Sequence, residues 1–347
     1  MQTTASGYSL KSKNTFAVQA TTAIFFAPTT FSDLLALPDL TLQPFYILGG
    51  GSNTLFTQAK APLIIQPSFS GITLEETSDF FHLTIGSAET WPELVEYCTH
   101  NHMYGLENLA LIPGCAGAAP VQNIGAYGVE LSDYCSEVHW FDFDTKTAQI
   151  LLNNDCQFGY RDSIFKNELH NKGLITHIKL SLPKKWQANK SYQGLDTLAD
   201  DASAHQIMEK VIQLRQMKLP DPNKLPNAGS FFKNPLVTQK KLAELTKQYS
   251  KVPSYAQDNG LYKLAAAWLI DQVGLKGYLI NKVGVHKDQA LVLVNYGNEE
   301  GQALVDLAAF VQDTVAEKFD IKLQPEVRMV TANGEIDFEQ LISEQNS

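Results

Sequence analysis

Short apolar runs separated by glycine, proline and serine dominate the first part of the chain, a spacing that predicts strands rather than long helices. Phe45 to Leu48 and Leu63 to Ile65 are two such runs within residues 15 to 66, with a short helix expected near Phe31 to Leu37. Phe80 to Ile85 reads as a further strand. Trp91 to Met103 reads as an amphipathic helix, because Leu94, Val95, Cys98 and Met103 recur near one face. Val138 to Phe143, Gln149 to Leu152 and Ile175 to Leu182 complete a strand-rich middle section. The character changes after residue 203. Ala204 to Met217 predicts a helix, the proline-rich KLPDPNKLP follows, and helices near Tyr262 to Val273 and Gly301 to Phe319 flank a strand at Leu291 to Val294. Ile321 to Met329 alternates with a period of two, which puts Lys322, Gln324, Glu326 and Arg328 on one face and Ile321, Leu323, Val327 and Met329 on the other. No internal repeat or low-complexity tract breaks this order. The expected class is α+β.

Composition narrows the picture without naming a function. The chain has 347 residues, 44% hydrophobic and 18% charged, enough for several domains with cores of their own. A formal net charge of −10 argues against a general nucleic-acid binder, although a local cluster can still hold an anionic nucleotide. The opening MQTTASGYSLKSKN has no apolar h-region, and no stretch approaches the roughly 20 apolar residues that span a bilayer. A cytoplasmic protein without membrane insertion is expected. Cys98, Cys115, Cys135 and Cys156 form no CxxC and have no histidine at ligand spacing, which predicts reduced thiols and no metal site.

Two glycine-rich segments carry the strongest chemical signal. LIPGCAGAAPVQNIGAYGVEL, residues 111 to 131, is rich in glycine and alanine and contains no lysine or arginine. Such a backbone allows a flat ligand close approach, and the amides of Gln122 and Asn123 are suited to the edge of a heteroaromatic ring. A plain packing turn is the alternative. The second segment, Gly49-Gly50-Gly51-Ser52-Asn53-Thr54, follows the apolar run Tyr46-Ile47-Leu48. Consecutive glycines after a strand can form a nest of N–H groups for pyrophosphate, with Ser52 and Asn53 adding side-chain donors. The segment is neither a Walker loop nor a GxGxxG fingerprint, which would need glycine where Thr54 stands. Together the two segments suggest a dinucleotide whose diphosphate and ring system are held separately.

The residues then reach a resemblance. YILGGGSNTLF at 46 to 56, GLENLALIPGCAGAAPVQNIGAYGVEL at 105 to 131, FGYRDSIFK at 158 to 166, NAGSFFKNP at 227 to 235, KLAAAWLIDQVGLKG at 263 to 277 and LQPEVRMV at 323 to 330 resemble, in order, the UDP-N-acetylenolpyruvoylglucosamine reductase family. These flavoenzymes complete UDP-N-acetylmuramic acid in bacterial peptidoglycan synthesis. The resemblance implies non-covalent FAD, NADPH as hydride donor and a UDP-sugar enolpyruvyl ether as substrate. It implies a two-lobed FAD-binding region of the vanillyl-alcohol-oxidase-like type plus a C-terminal α+β substrate domain: 1–69 completed by 320–347, then 70–214, then 215–319. The C-terminal strand would return Glu326 to a site between lobes. The implied cofactor residues are Gly49, Gly50, Gly51, Ser52, Asn53, Ile112, Pro113, Gly114, Ala118, Ala119, Gln122, Asn123, Gly125 and Tyr127. A monomer is compatible with the sequence, which does not fix oligomeric state.

The chemistry of that reaction dictates what else to seek. Hydride added to the terminal enolpyruvyl carbon pushes negative charge onto the adjacent carbon and its carboxylate. The site therefore needs cationic or hydrogen-bonding groups there and a proton donor. Arg161, in an aromatic-rich turn, can hold a carboxylate with its planar fork; a salt bridge to Asp162 or another acid is the structural alternative. Glu326 belongs to a polar strand face by periodicity, and by resemblance lies beside the substrate carboxylate. Two anions repel there, so it must carry a proton or share Arg161. Ser230 reads locally as a turn or cap serine, lacks a GxSxG setting, and by resemblance is the general acid. Tyr192 matches the substrate-covering tyrosine of one branch of the family, with Gln193 standing where glycine is usual. Lys218, Asn234, Lys263, Lys276 and Gln289 are candidates for diphosphate, uracil and sugar, each lysine equally able to be a solvated charge. An oxidase on the same FAD scaffold would not need the trio Arg161, Ser230 and Glu326. A redox-inactive nucleotide-sugar binding module would not need to keep it.

Overall fold

The computed structural model describes residues 7–257 and 259–345. The chain forms two compact units, one built from 23–51 and 62–217, the other from 9–22, 52–61 and the residues from 218 onward. Residues 23–51 and 52–61, expected in a single lobe, cluster in different units, so the chain changes unit inside the glycine segment, between Gly51 and Ser52. Among the described residues no helix is long and apolar enough to cross a membrane, and no cluster of acidic, histidine or cysteine side chains could hold a metal.

The first unit is organised by a five-stranded antiparallel sheet. Its order is Ala148–Leu152, Cys135–Asp142, Gly173–Pro183, Phe80–Gly86, Ile72–Glu76. The central strand shows why the period-two pattern works: Ile178, Leu180 and Leu182 point into the core, while His177, Lys179 and Ser181 alternate outward. Leu94, Val95 and Cys98 of helix Trp91–His100 join that core. Three short parallel strands, Phe25–Phe26, Leu63–Ile65 and Phe45–Ile47, pack a smaller core with Leu34, whose helix begins at a capping box between Thr30 and Asp33.

This small sheet positions the glycine segment. Phe45–Ile47 delivers the chain to Leu48, whose N–H bonds to Ile65, and Gln66 donates through Nε2 to the Gly49 carbonyl at 2.8 Å. Gly49 and Gly50 then lie against the second Gly/Ala segment. A Cβ at Gly50 would stand 3.0 Å from the Gly114 Cα, and one at Gly49 would stand 2.9 Å from the Ala118 Cβ. The second segment is anchored in turn by main-chain bonds from Trp91 to Gly114, Ala116 to Glu89 and Gly117 to Ser87. The two segments that sequence alone assigns to separate parts of a ligand therefore share one backbone-to-backbone contact.

The second unit contains a four-stranded sheet, Asn227–Ser230, Val292–Asn295, Val283–Val285 and Leu279–Ile280, covered by helix Gln302–Phe319. Thr54–Phe56 runs parallel to Arg328–Thr331, and Gly334–Ile336 pairs with the latter in a hairpin. Two expectations change here. The helix expected over Tyr262 to Val273 is a strand, Tyr262–Leu264, followed by helix Ala266–Gln272. Leu264 donates its N–H to Pro235, and the Ala266 N–H is capped by Asn234 Oδ1 at 3.0 Å. The long strand expected over Ile321 to Met329 is regular only from Arg328. Burial still alternates, with Ile321, Leu323 and Val327 inward, but Pro325 offers no N–H to a ladder and makes a single bridge to Phe232.

Two outcomes follow from this packing. Gly50→Ala should destabilise the protein by about 1–3 kcal/mol, because the added methyl meets fixed backbone instead of a flexible side chain. Urea unfolding reads this, and an unchanged midpoint would contradict the close contact. Phe16 is fully buried and packs edge-on against Phe231, with centroids 6.2 Å apart. Phe16→Ala should cost about 3–5 kcal/mol in the same assay, whereas a loss below about 1 kcal/mol would show that the site closes around the void.

Candidate active site

The glycine contact also brackets Cys115. Main-chain N–H groups of Ala118, Gly50 and Gly117 surround the Cys115 sulfur and pull its thiol down, against burial that pushes it up more strongly. Gly51 and Gly114 both take positive φ, +70° and +117°, in the turns that present these amides. Close backbone approach, small side chains and turns at positive φ are what a flat cofactor lying against the main chain requires, so the residues present fit FAD. Ala119 is buried beneath the bed, Gln122 is half-buried, and Ile112 and Pro113 lie in the less buried turn before it. Gln66, which fixes the Gly49 peptide, was not legible from sequence because it acts from the neighbouring strand's end.

Beyond the bed, Gly125–Ala126 and Val129–Glu130 form a hairpin whose two turn residues, Tyr127 and Gly128, have φ of +52° and +82°. Positive φ at both central positions is the mark of a turn that matches strand twist. Asn108 holds the turn by donating from Nδ2 to the Tyr127 carbonyl at 2.8 Å. The Tyr127 ring meets Tyr192 edge-on, 4.8 Å between centroids. Arg215, which the sequence did not single out, lies in the field of Tyr127 and Arg161. Burial lowers its pKa most, the Arg161 charge adds to that and Tyr127 opposes it, and its buried Nε has no partner among the described residues.

Arg161 occupies the third position of the turn Gly159–Asp162, whose ends exchange main-chain bonds of 3.0 and 3.2 Å. Its φ is +56°, in the left-handed region, at a cost of roughly 1–2 kcal/mol for an L-residue. The guanidinium donates from Nη2 to the Gly125 carbonyl at 2.8 Å and lies 5.4 Å from the Tyr160 ring centroid. A Cβ on Gly125 would sit 2.9 Å from Glu130 Cγ and 3.3 Å from Arg161 Nη1, so a larger residue there would make these side chains shift. Asp162, the alternative salt-bridge partner, is instead hydrogen-bonded by Asn167 Nδ2 at 3.0 Å.

In the other unit, the structure brings Ser230 and Glu326 onto neighbouring segments. The Glu326 N–H donates to the Phe231 carbonyl at 2.7 Å, and Lys233 N–H donates to Gln324. Asn53 Nδ2 donates to the Glu326 carbonyl at 3.1 Å, and Arg328 N–H donates to Asn53 O. Asn53, expected to serve the cofactor, thus uses its side chain to fix Glu326. Ser230 pairs with Val292 at the end of its strand, where it is partly buried.

The remaining candidates are scattered by comparison. Asn234 caps the helix at Ala266, and Lys263 lies on the middle strand of the sheet formed by Leu236–Val237, Tyr262–Leu264 and Ser254–Ala256. Gln289 shares the turn of His286, to whose Nδ1 its N–H donates at 3.2 Å. Lys276 is exposed beside Gly277, and Lys218 closes helix Ala204–Lys218.

Comparison with known proteins supplies the family. An FAD binding domain model matches residues 23–150, and a model of the UDP-N-acetylenolpyruvoylglucosamine reductase C-terminal domain matches residues 221–330. The chain is similar to UDP-N-acetylenolpyruvoylglucosamine reductase of Shewanella oneidensis, 46% identical over 94% of this chain and 97% of the relative. The corresponding proteins of Photorhabdus laumondii and Vibrio cholerae are 44% and 42% identical, over 96% and 98% of this chain and 99% and 98% of theirs. The fold is similar to the solved reductase of Thermus caldophilus, with a TM-score of 0.67 and 22% identity, over 92% of this chain and 96% of that one. With an α+β FAD-binding region and the reductase C-terminal domain in one chain, the protein belongs to the UDP-N-acetylenolpyruvoylglucosamine reductase family and is an FAD-dependent oxidoreductase.

Proposed function

We propose that the protein reduces UDP-N-acetyl-3-O-(1-carboxyvinyl)-glucosamine to UDP-N-acetylmuramate at the expense of NADPH, as a cytoplasmic step of peptidoglycan precursor synthesis. The observation that carries this reading is the placement of Ser230 one residue from the Phe231 carbonyl that holds the Glu326 backbone. FAD, when bound, supplies hydride to the terminal enolpyruvyl carbon. Gly49 to Gly51 would hold its anionic part through main-chain N–H groups. Arg161 orients and neutralises the substrate carboxylate with a guanidinium whose plane is set by the Gly125 carbonyl. Ser230 gives its proton to the carbon next to that carboxylate. Glu326 binds at the same end of the substrate, its backbone fixed on both sides.

Tyr192, Lys218, Asn234, Lys263, Lys276 and Gln289 are proposed contacts to the UDP-sugar. Tyr192 is 40% exposed on a loop tied down by Lys190 Nζ, which donates to Ala199 O at 2.8 Å, and by Asn189 Nδ2, which donates to Gly128 O at 2.9 Å. Both ties come from residues that precede Tyr192, and Gln193, which departs from the usual pattern, follows it.

Ser230→Ala should keep FAD content and NADPH-driven flavin reduction while slowing product formation by about 10²–10⁴. Ser230→Cys should retain more activity than alanine. Stopped-flow measurement of both half-reactions checks this, and near-parental turnover of Ser230→Ala with solvent deuterium still entering next to the carboxylate would assign the proton to another group. Arg161→Lys keeps the charge but loses the planar fork. Reoxidation by the enolpyruvyl substrate should slow with flavin reduction nearly normal; equal slowing of both half-reactions would give Arg161 a role in holding the flavin or the fold.

A further inference from the structure

Asn123 sits in the QNIG sequence where an amide is suited to a ring edge, yet its side chain is fully engaged inside the protein. It is 1% exposed, with φ of +43°, a conformation that asparagine tolerates better than most residues. Nδ2 donates to Glu130 Oε2 at 2.7 Å and to the Gly159 carbonyl at 3.2 Å, while Oδ1 accepts the Ser132 N–H at 3.0 Å. Glu130 and Ser132 lie at the end of the Gly125–Glu130 hairpin. Gly159 opens the turn that carries Arg161.

The same two pieces are linked a second time by Arg161 itself, whose Nη2 reaches the Gly125 carbonyl on that hairpin. The Gly159 carbonyl accepts from Asn123 and also from the Asp162 N–H, so the amide grips the bond that closes the turn. On its far side the turn is braced by Lys166 Nζ, which donates to the Arg161 carbonyl at 3.0 Å. Nearby, Ser163 Oγ donates to Val121 O at 2.6 Å. A turn with a left-handed arginine needs such bracing, because relaxation to negative φ would swing the side chain away. Distance from hairpin to turn sets how far the guanidinium extends past Gly125.

From this geometry we infer that Asn123 is a positioning residue for Arg161. Its amide is a strut that holds the strained Gly159–Asp162 turn at a fixed distance from the Gly125–Glu130 hairpin, and so aims the guanidinium at the substrate carboxylate. The inference rests on the carboxylate-binding role proposed for Arg161. It moves Asn123 from the cofactor to the substrate side of the reaction.

The test uses the FAD-loaded protein with Asn123→Asp, which keeps the shape, the Oδ1 acceptor and the tolerance of positive φ while removing both N–H donors. Asn123→Gly removes the same donors without an added charge, together with the Oδ1 acceptor of the Ser132 N–H. Both are made in the parent and in an Arg161→Lys background. In the parent, FAD content and NADPH reduction should stay within about twofold, while reoxidation by substrate slows roughly 10- to 100-fold, the size expected for a reacting group misplaced by about 1 Å. Calorimetry on the oxidised protein should show weaker substrate binding. In the Arg161→Lys background the same changes should add less than about twofold, because there is no fork left to aim. Full additivity of the two substitutions, normal reoxidation and substrate affinity, or loss of FAD from both Asn123 variants would overturn the inference. If Arg161→Lys alone leaves reoxidation and substrate affinity intact, the carboxylate role itself fails, and that arm contains no change at Asn123.

Discussion

The contact between the Gly50 and Gly114 backbones is the constraint on which the cofactor-binding part of this protein depends. Two chain segments far apart in sequence approach so closely that a Cβ at Gly50 would be 3.0 Å from the opposing Cα. That proximity sets the Gly50 backbone against Cys115 of the opposing segment, which neither segment could do alone. Preorganised amides hold an anion without the desolvation cost of a buried lysine or arginine. The surrounding small sheet and the helix that starts at Trp91 fix each segment by main-chain bonds, so the fold and the nest are specified together.

The groups proposed for catalysis are held by a different device. Arg161, Ser230 and Glu326 all lie in turns or irregular strand ends whose backbones are pinned by side-chain amides or unusual main-chain bonds. Asn123 grips the Arg161 turn, and Asn53 grips the Glu326 carbonyl. Asparagine suits this work because it offers donors and an acceptor at short reach and tolerates positive φ. The reaction rewards such rigidity, since charge develops at one carboxylate and one carbon and a loose group contributes little there.

Much of this was legible in the sequence, for physical reasons that also explain what was not. Period-two runs such as Ile175 to Leu182 gave central strands because one face packs a core and the other meets polar surroundings. Leu94, Val95 and Cys98 gave their helix by the same logic at a different period. Tyr262 to Val273 misled because an apolar stretch contains both a strand and a helix, separated by a cap that comes from Asn234. At Pro325 the alternation of burial was correct and the ladder was absent. In the site, the ordered motifs pointed to the family and its cofactor. The partners of those motifs were hidden: Gln66, Asn108 and Arg215 act over long sequence separations, and the commitment of Asn123 to Glu130, Ser132 and Gly159 is visible only when the chain is folded. Gly50 was expected to make room for phosphate, and its nearest constraint is the backbone of Gly114.

The most direct measurement of the central claim is an anaerobic titration of the purified protein followed at the flavin absorption band. NADPH should bleach the band, and adding the UDP-enolpyruvyl sugar without oxygen should restore it, with one UDP-N-acetylmuramate formed for each flavin reoxidised. A band that stays bleached until oxygen is admitted, with no muramate product, would contradict the account and point to an oxidase on the same scaffold.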